Sequence, residues 1–137
     1  VKDFMKISPY GTVSYKVYGG KIFRAMPFTN LENHPGNDLY YYNRNAFNLM
    51  NRFQYLSDQY AGANVEHNVG SGLFRFIPIT RKLKWRQFYT VKALWGSLSN
   101  ENDAINTYAV IPYQKVGFKT LNDKTYVEVG TGIDNIF

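Results

Sequence analysis

The stretch Tyr60-Ala61-Gly62-Ala63-Asn64-Val65-Glu66-His67-Asn68-Val69 decides the fold class. Ala61, Ala63, Val65 and Val69 fall on one face of an extended chain, together with His67. Tyr60, Gly62, Asn64, Glu66 and Asn68 fall on the other. A period of two is the signature of a β-strand, because successive side chains point to opposite faces. Asn, Glu and Asn in succession on one face require water there. A barrel lumen supplies it, and so does the outside of a soluble sheet.

Working outward, the same alternation recurs. Residues 10–23 place Val13, Tyr15 and Val17 opposite Thr12, Ser14, Lys16 and Tyr18, with Gly19-Gly20 expected to interrupt the strand as a bulge or bend. Residues 51–69 hold the second strand, preceded at 46–56 by Phe47, Met50, Phe53 and Leu56 at a spacing that suits either a helical turn or an extended approach. Residues 87–98 alternate Tyr89, Val91, Ala93 and Trp95 with Phe88, Thr90, Lys92, Leu94 and Gly96. Residues 126–133 set Val127, Val129 and Ile133 against Tyr126, Glu128, Gly130 and Gly132. A further strand, bent at Pro112, is expected within 107–119. Between these, 27–45 reads as a long loop with its turn core at 33–37, and Asn100-Glu101-Asn102-Asp103 and Leu121-Asn122-Asp123-Lys124 read as polar turns. Residues 73–85 read as a short amphipathic element. The expected fold class is all-β and antiparallel, with about five strands and no βαβ pattern.

The 137 residues include no cysteine, which excludes disulfides and thiolate metal sites. Aromatic residues make up 18% of the chain, a heavy load that suits interfacial or cross-strand positions. Tyr10, Phe23, Tyr60, Tyr89, Trp95 and Tyr126 lie near expected strand ends, where an aromatic girdle of a membrane barrel would sit. No apolar run is long enough for a membrane helix, but barrel strands escape that test because they alternate. Periodicity alone is satisfied equally by a soluble β-sandwich whose apolar faces pack on each other. A closed membrane barrel needs roughly eight strands or more, so on a membrane reading residues 1–137 are one partial barrel segment of a longer chain, or must oligomerise.

The net charge of +6 is local. No acidic residue lies between Glu66 and Glu101, a stretch that carries Arg75, Arg81, Lys82, Lys84, Arg86 and Lys92. Arg75, Arg81, Lys82, Lys84 and Arg86 form the candidate site, for lipid phosphates or another anion, set against a solvated or lumen-lining basic loop. Nucleic acid is not an expected partner. His34, Glu66 and His67 have the side chains of a zinc site, but Glu66 and His67 are neighbours on a strand and point apart; no metal and no cofactor are expected. Asp58 and Glu66 do not form a paired-carboxylate centre, Ser57-Asp58 has no histidine nearby in sequence, and Gly70-Ser71-Gly72 lacks the lysine of a phosphate loop. No enzymatic activity is expected of the segment.

An ordered series of short motifs carries a resemblance. Gly20-Lys21-Ile22-Phe23 is followed by Leu31-Glu32-Asn33-His34-Pro35-Gly36-Asn37, Ala46-Phe47-Asn48-Leu49-Met50-Asn51 and Ser57-Asp58-Gln59-Tyr60. Arg81-Lys82-Leu83-Lys84-Trp85-Arg86 then leads into Ala93-Leu94-Trp95-Gly96, and the series closes on Tyr126-Val127-Glu128-Val129-Gly130-Thr131-Gly132-Ile133-Asp134-Asn135-Ile136-Phe137. The series resembles the C-terminal part of an uncharacterised outer-membrane β-barrel family of the Bacteroidetes, whose members join a carboxypeptidase-regulatory-like domain to a barrel. Members begin well before the position of Val1 and continue past that of Phe137 into a last strand. The resemblance implies a bacterial outer-membrane location and a transport, secretion or envelope-scaffold role. It implies as partners outer-membrane lipid or lipopolysaccharide, the remaining strands of the same barrel, and other envelope proteins. It supplies no catalytic residues. The alternative is a soluble β-rich module that binds carbohydrate or another ligand.

Overall fold

The computed structural model describes residues 1–7, 10–52, 54–71, 74, 78, 85–108 and 119–134, with the backbone alone at 28 and 105–108. Five strands form one sheet in the order β1 (Lys2–Ile7), β2 (Gly11–Lys21), β5 (Gln59–Gly70), β6 (Arg86–Ser97), β7 (Thr125–Asp134). β3 (Glu32–Asn33) and β4 (Leu56–Ser57) pair antiparallel in a second, minimal sheet. The large sheet is antiparallel and open, with β1 and β7 at its two ends, so among the described residues it does not close into a barrel. The all-β, antiparallel expectation holds at this level.

The register fixes the faces. β1 pairs with β2 so that Met5 lies opposite Val13 and Asp3 opposite Tyr15, while Lys2 and Lys6 lie opposite Lys16 and Thr12. At the start of β2, Gly11 has a φ of 101° and a side chain there would run into the Asn68 backbone, so β2 meets β5 where only glycine fits. A Cβ on Gly130 would sit 2.8 Å from Thr90 Oγ1, and one on Gly132 would strike the Phe88 ring. The even-numbered residues of β6 and β7 therefore share a face.

Several expectations need correction. The segment Lys2–Ile7 is a strand that the alternation did not reveal. β2 runs without interruption to Lys21, because Gly19 and Gly20 serve packing and not a bend: a Cβ on Gly20 would lie 2.9 Å from the Tyr60 ring. The expected strand at 51–69 is shorter, starting at Gln59, with β4 a separate two-residue strand. Residues 100–103 are not a turn but the start of helix α1 (Asn100–Tyr108). The strand expected within 107–119 is helical at 107–108, and 109–118 lie outside the described residues. The long loop is present, with a 3₁₀ turn at Phe28–Asn30.

The chain divides into two compact units that draw on halves of the same long strands. The first comprises 1–18, 63–93 and 127–137; the second comprises 19–62 and 94–126. Their interiors differ in kind. Every buried apolar side chain among the described residues belongs to the second unit: Leu31, Ala46, Phe47, Met50, Leu56, Leu94 and Leu121. The buried side chains of the first unit are Thr90, Lys92 and Glu128.

Candidate functional site

In the first unit, β6 and β7 bury polar side chains and expose apolar ones. On β7, Glu128 is 6% exposed and the next residue, Val129, is 71% exposed. On β6, Lys92 is 2% exposed and Val91 beside it is 45% exposed. Val17, Val65, Tyr89, Val127 and Ile133 are likewise exposed. A soluble sheet in water does the opposite, since burying apolar area is the main favourable term in folding.

The buried face is held by charge. Lys92 of β6 feels the negative charges of Glu128 on β7 and Glu66 on β5, the two strands that flank it. A lysine is rarely buried unless paired, because removing a lone ion from water is costly. Thr90 lies on the same face as Lys92, and Asn64 lies two residues before Glu66 with its Oδ1 buried and without a hydrogen-bond partner. Each of these residues was visible as the polar side of an alternating strand; that they lie on three neighbouring strands required the strand order.

The second unit contains two buried polar centres. His34 is buried, shares a 2.9 Å hydrogen bond between its Nε2 and Ser57 Oγ, and meets the Tyr60 ring edge-on at 5.4 Å. Burial lowers its pKa to about 4, so the imidazole is neutral at pH 7. Its Nδ1 has no hydrogen-bond partner. Among the described residues no carboxylate hydrogen-bonds to the ring, and Ser57 is fully buried. A side chain at Gly96 would collide with Ser57 Oγ, which places this pair directly over β6.

Asp58, adjacent to Ser57, braces the other centre. Its Oδ2 accepts hydrogen bonds from the Ser99 backbone N–H at 3.0 Å and from Asn102 Nδ2 at 2.9 Å. Ser99 in turn accepts the Asp103 N–H at 2.9 Å, closing the first turn of α1. Asp58 therefore supplies a negative charge at the positive end of the helix. Desolvation pushes its pKa up, but the hydrogen bonds from Ser99, Asn102 and the backbone outweigh that and leave it below the ordinary carboxylate value. Asn102 Oδ1 accepts the Met26 N–H at 2.8 Å, and the Ile22 N–H donates to the Asp58 carbonyl at 2.7 Å. Between these tied segments lies a cavity of about 400 Å³, lined by residues 21–24, 58–59 and 99–102.

A family model described as the C-terminal domain of a family of unknown function, DUF5686, matches residues 1–102. The chain belongs to the DUF5686 family. No curated protein matches it, and no solved structure matches it. The DUF5686 match takes in β1 to β6 and the first residues of α1, and therefore Glu66 and Lys92, Asp58, His34 and the whole lining of the cavity. β7, with Glu128, lies beyond the matched span.

Of the basic cluster expected in this DUF5686 chain, Arg75, Arg81, Lys82 and Lys84 lie outside the described residues, and Arg86 is the exposed first residue of β6. The three zinc-type side chains are held separately: His34 is bonded to Ser57, His67 Nε2 donates to the Tyr10 carbonyl at 3.0 Å, and Glu66 faces Lys92. Among the described residues no three His, Cys, Asp or Glu side chains cluster as metal ligands would. Ser57 does have a histidine beside it, brought 23 positions along the chain by the pairing of β3 with β4. Of the six girdle aromatics, Tyr10, Phe23, Tyr89 and Trp95 are exposed, whereas Tyr60 and Tyr126 are half-buried, against His34 and Phe47 respectively. The last two sit on the polar sides of their strands, and their rings contact buried groups of the second unit.

Proposed function

We propose that this DUF5686 chain forms part of the wall of a bacterial outer-membrane β-barrel, in a protein with a transport, secretion or envelope-scaffold role. One observation carries the reading: in the first unit Val91, Val127 and Val129 are exposed while Thr90, Lys92 and Glu128 are buried. That reversal costs stability in water and is favourable in lipid, where the apolar face meets acyl chains and the charged face turns inward, away from them. Strand length agrees. β5 and β6 have 12 residues each and β7 has 10, against roughly 9 to 11 for a tilted strand that crosses a bilayer. No helix among the described residues is long and apolar enough to cross a membrane.

The open edges at β1 and β7 are where the remaining strands of the barrel would pair, since unpaired backbone groups are not tolerated in hydrocarbon. The family resemblance to Bacteroidetes outer-membrane proteins supports the same location. The reading is tested by placing single spin labels along β7 in the lipid-reconstituted full-length protein and measuring their access to oxygen and to a water-soluble relaxant. A soluble β-rich binding module is the outcome if the apolar positions prove to face water or packed protein.

A further inference from the structure

The geometry points to the cavity beside Asp58 as a binding site for a neutral saccharide of one or two rings. Its size, about 400 Å³, lies at the lower end of ordinary small-molecule sites. Its walls come from three segments: the end of β2 with the residues after it, the start of β5, and the first turn of α1. Two buried side chains fix them together. Asp58 holds Ser99 and Asn102, Asn102 holds Met26, and the Asp58 carbonyl holds Ile22. A preformed wall of this kind loses little entropy on binding.

The chemistry of the lining selects the ligand. Lys21 and Arg24 offer only donors, Glu101 only acceptors, and Gln59 and Asn100 both. A sugar hydroxyl both donates and accepts, so a polyhydroxylated ring satisfies all three kinds of group. Phe23 adds an exposed aromatic surface at the same wall, with the Lys21 ammonium 5.6 Å from its ring centre.

A phosphate or carboxylate fits less well. The positive end of α1, which would attract an anion, is already occupied by the Asp58 carboxylate, and Glu101 repels a second one. The site does not depend on the lipid-facing reading of the first unit, because its lining belongs wholly to the second.

The test is a titration of the isotope-labelled full-length protein, in detergent, with glucose, galactose, mannose and N-acetylglucosamine, and with inorganic phosphate. Amide resonances of residues 21–24, 59 and 99–102 are the readout. The expected result is saturable shifts at these positions with at least one sugar, with a dissociation constant on the order of 1 mM. Binding should weaken at least tenfold in the double variant Lys21→Met/Glu101→Gln, both of whose positions are exposed and tolerant of change. The inference is overturned if no sugar gives saturable shifts there, if the double variant binds as well as the parent chain, or if phosphate binds more tightly than every sugar.

Discussion

Replacing Lys92 by Met removes the one buried cation among the described residues of the first unit and keeps most of the apolar stem. Lys92 is 2% exposed and Glu128 is 6% exposed, so water cannot take over the role of the ammonium. Glu128 and Glu66 would then lose the attraction of the Lys92 charge. Breaking a buried ion pair by deleting one partner typically costs about 3–5 kcal/mol, most of it the penalty of the charge left behind. With a urea dependence of about 1–3 kcal/mol per molar, the unfolding midpoint should fall by roughly 1–5 M. The assay is urea unfolding in detergent followed by circular dichroism, with Lys2→Met on the exposed edge strand as control, expected to change stability by less than about 0.5 kcal/mol. The double variant Lys92→Met/Glu128→Gln should recover part of the loss, with a coupling of about 1–3 kcal/mol. If Lys92→Met costs less than about 1 kcal/mol, or the double variant is no more stable than the single, the reasoning about a charge-held interior is wrong.

His34 gives a pH prediction. Its folded pKa of about 4 lies below the ordinary histidine value of 6.5, so the unfolded chain binds the extra proton first as pH falls. Its contribution is fully present above about pH 6.5 and is lost as pH falls toward 4, by about 3 kcal/mol in total; urea midpoints measured across that window should lose this slope in His34→Gln. Gly96→Ala forces a methyl group against Ser57 Oγ. It should destabilise the chain by about 1–3 kcal/mol and release the His34–Ser57 hydrogen bond, seen as a change in the His34 ring resonances.

The large strands were legible because each alternates over ten or more residues. β1 was not, for a physical reason. Lys2, Phe4 and Lys6 alternate with Asp3, Met5 and Ile7, so neither face is uniformly apolar, and an edge strand pairs on one side only. Helix α1 was hidden because Asn100, Asn102 and Asp103 are turn formers by propensity. What stabilises it is distant in sequence: the Asp58 carboxylate caps its first turn. The polar centres follow the same rule. Lys92 and Glu128 could be assigned to the polar sides of their strands, but their burial could not, since alternation says which residues share a face and not which face is covered. His34 looked like a turn residue beside Pro35 and Gly36, and its partner Ser57 lies in another strand. The basic cluster from Arg75 to Lys84 was the most conspicuous feature of the sequence, and those residues fall outside the described structure.

Which face of the sheet meets lipid is the central question, and β7 poses it residue by residue. The chain has no cysteine, so single cysteines at 126–133 can each carry one nitroxide without background. In lipid vesicles, collision with oxygen should peak at 127, 129 and 133 and fall at 126, 128, 130 and 132, with a period of two, and the water-soluble relaxant should show the opposite phase. Equal access of the water-soluble relaxant at Val127, Val129 and Ile133, or no alternation at all, would contradict the membrane reading of this DUF5686 domain.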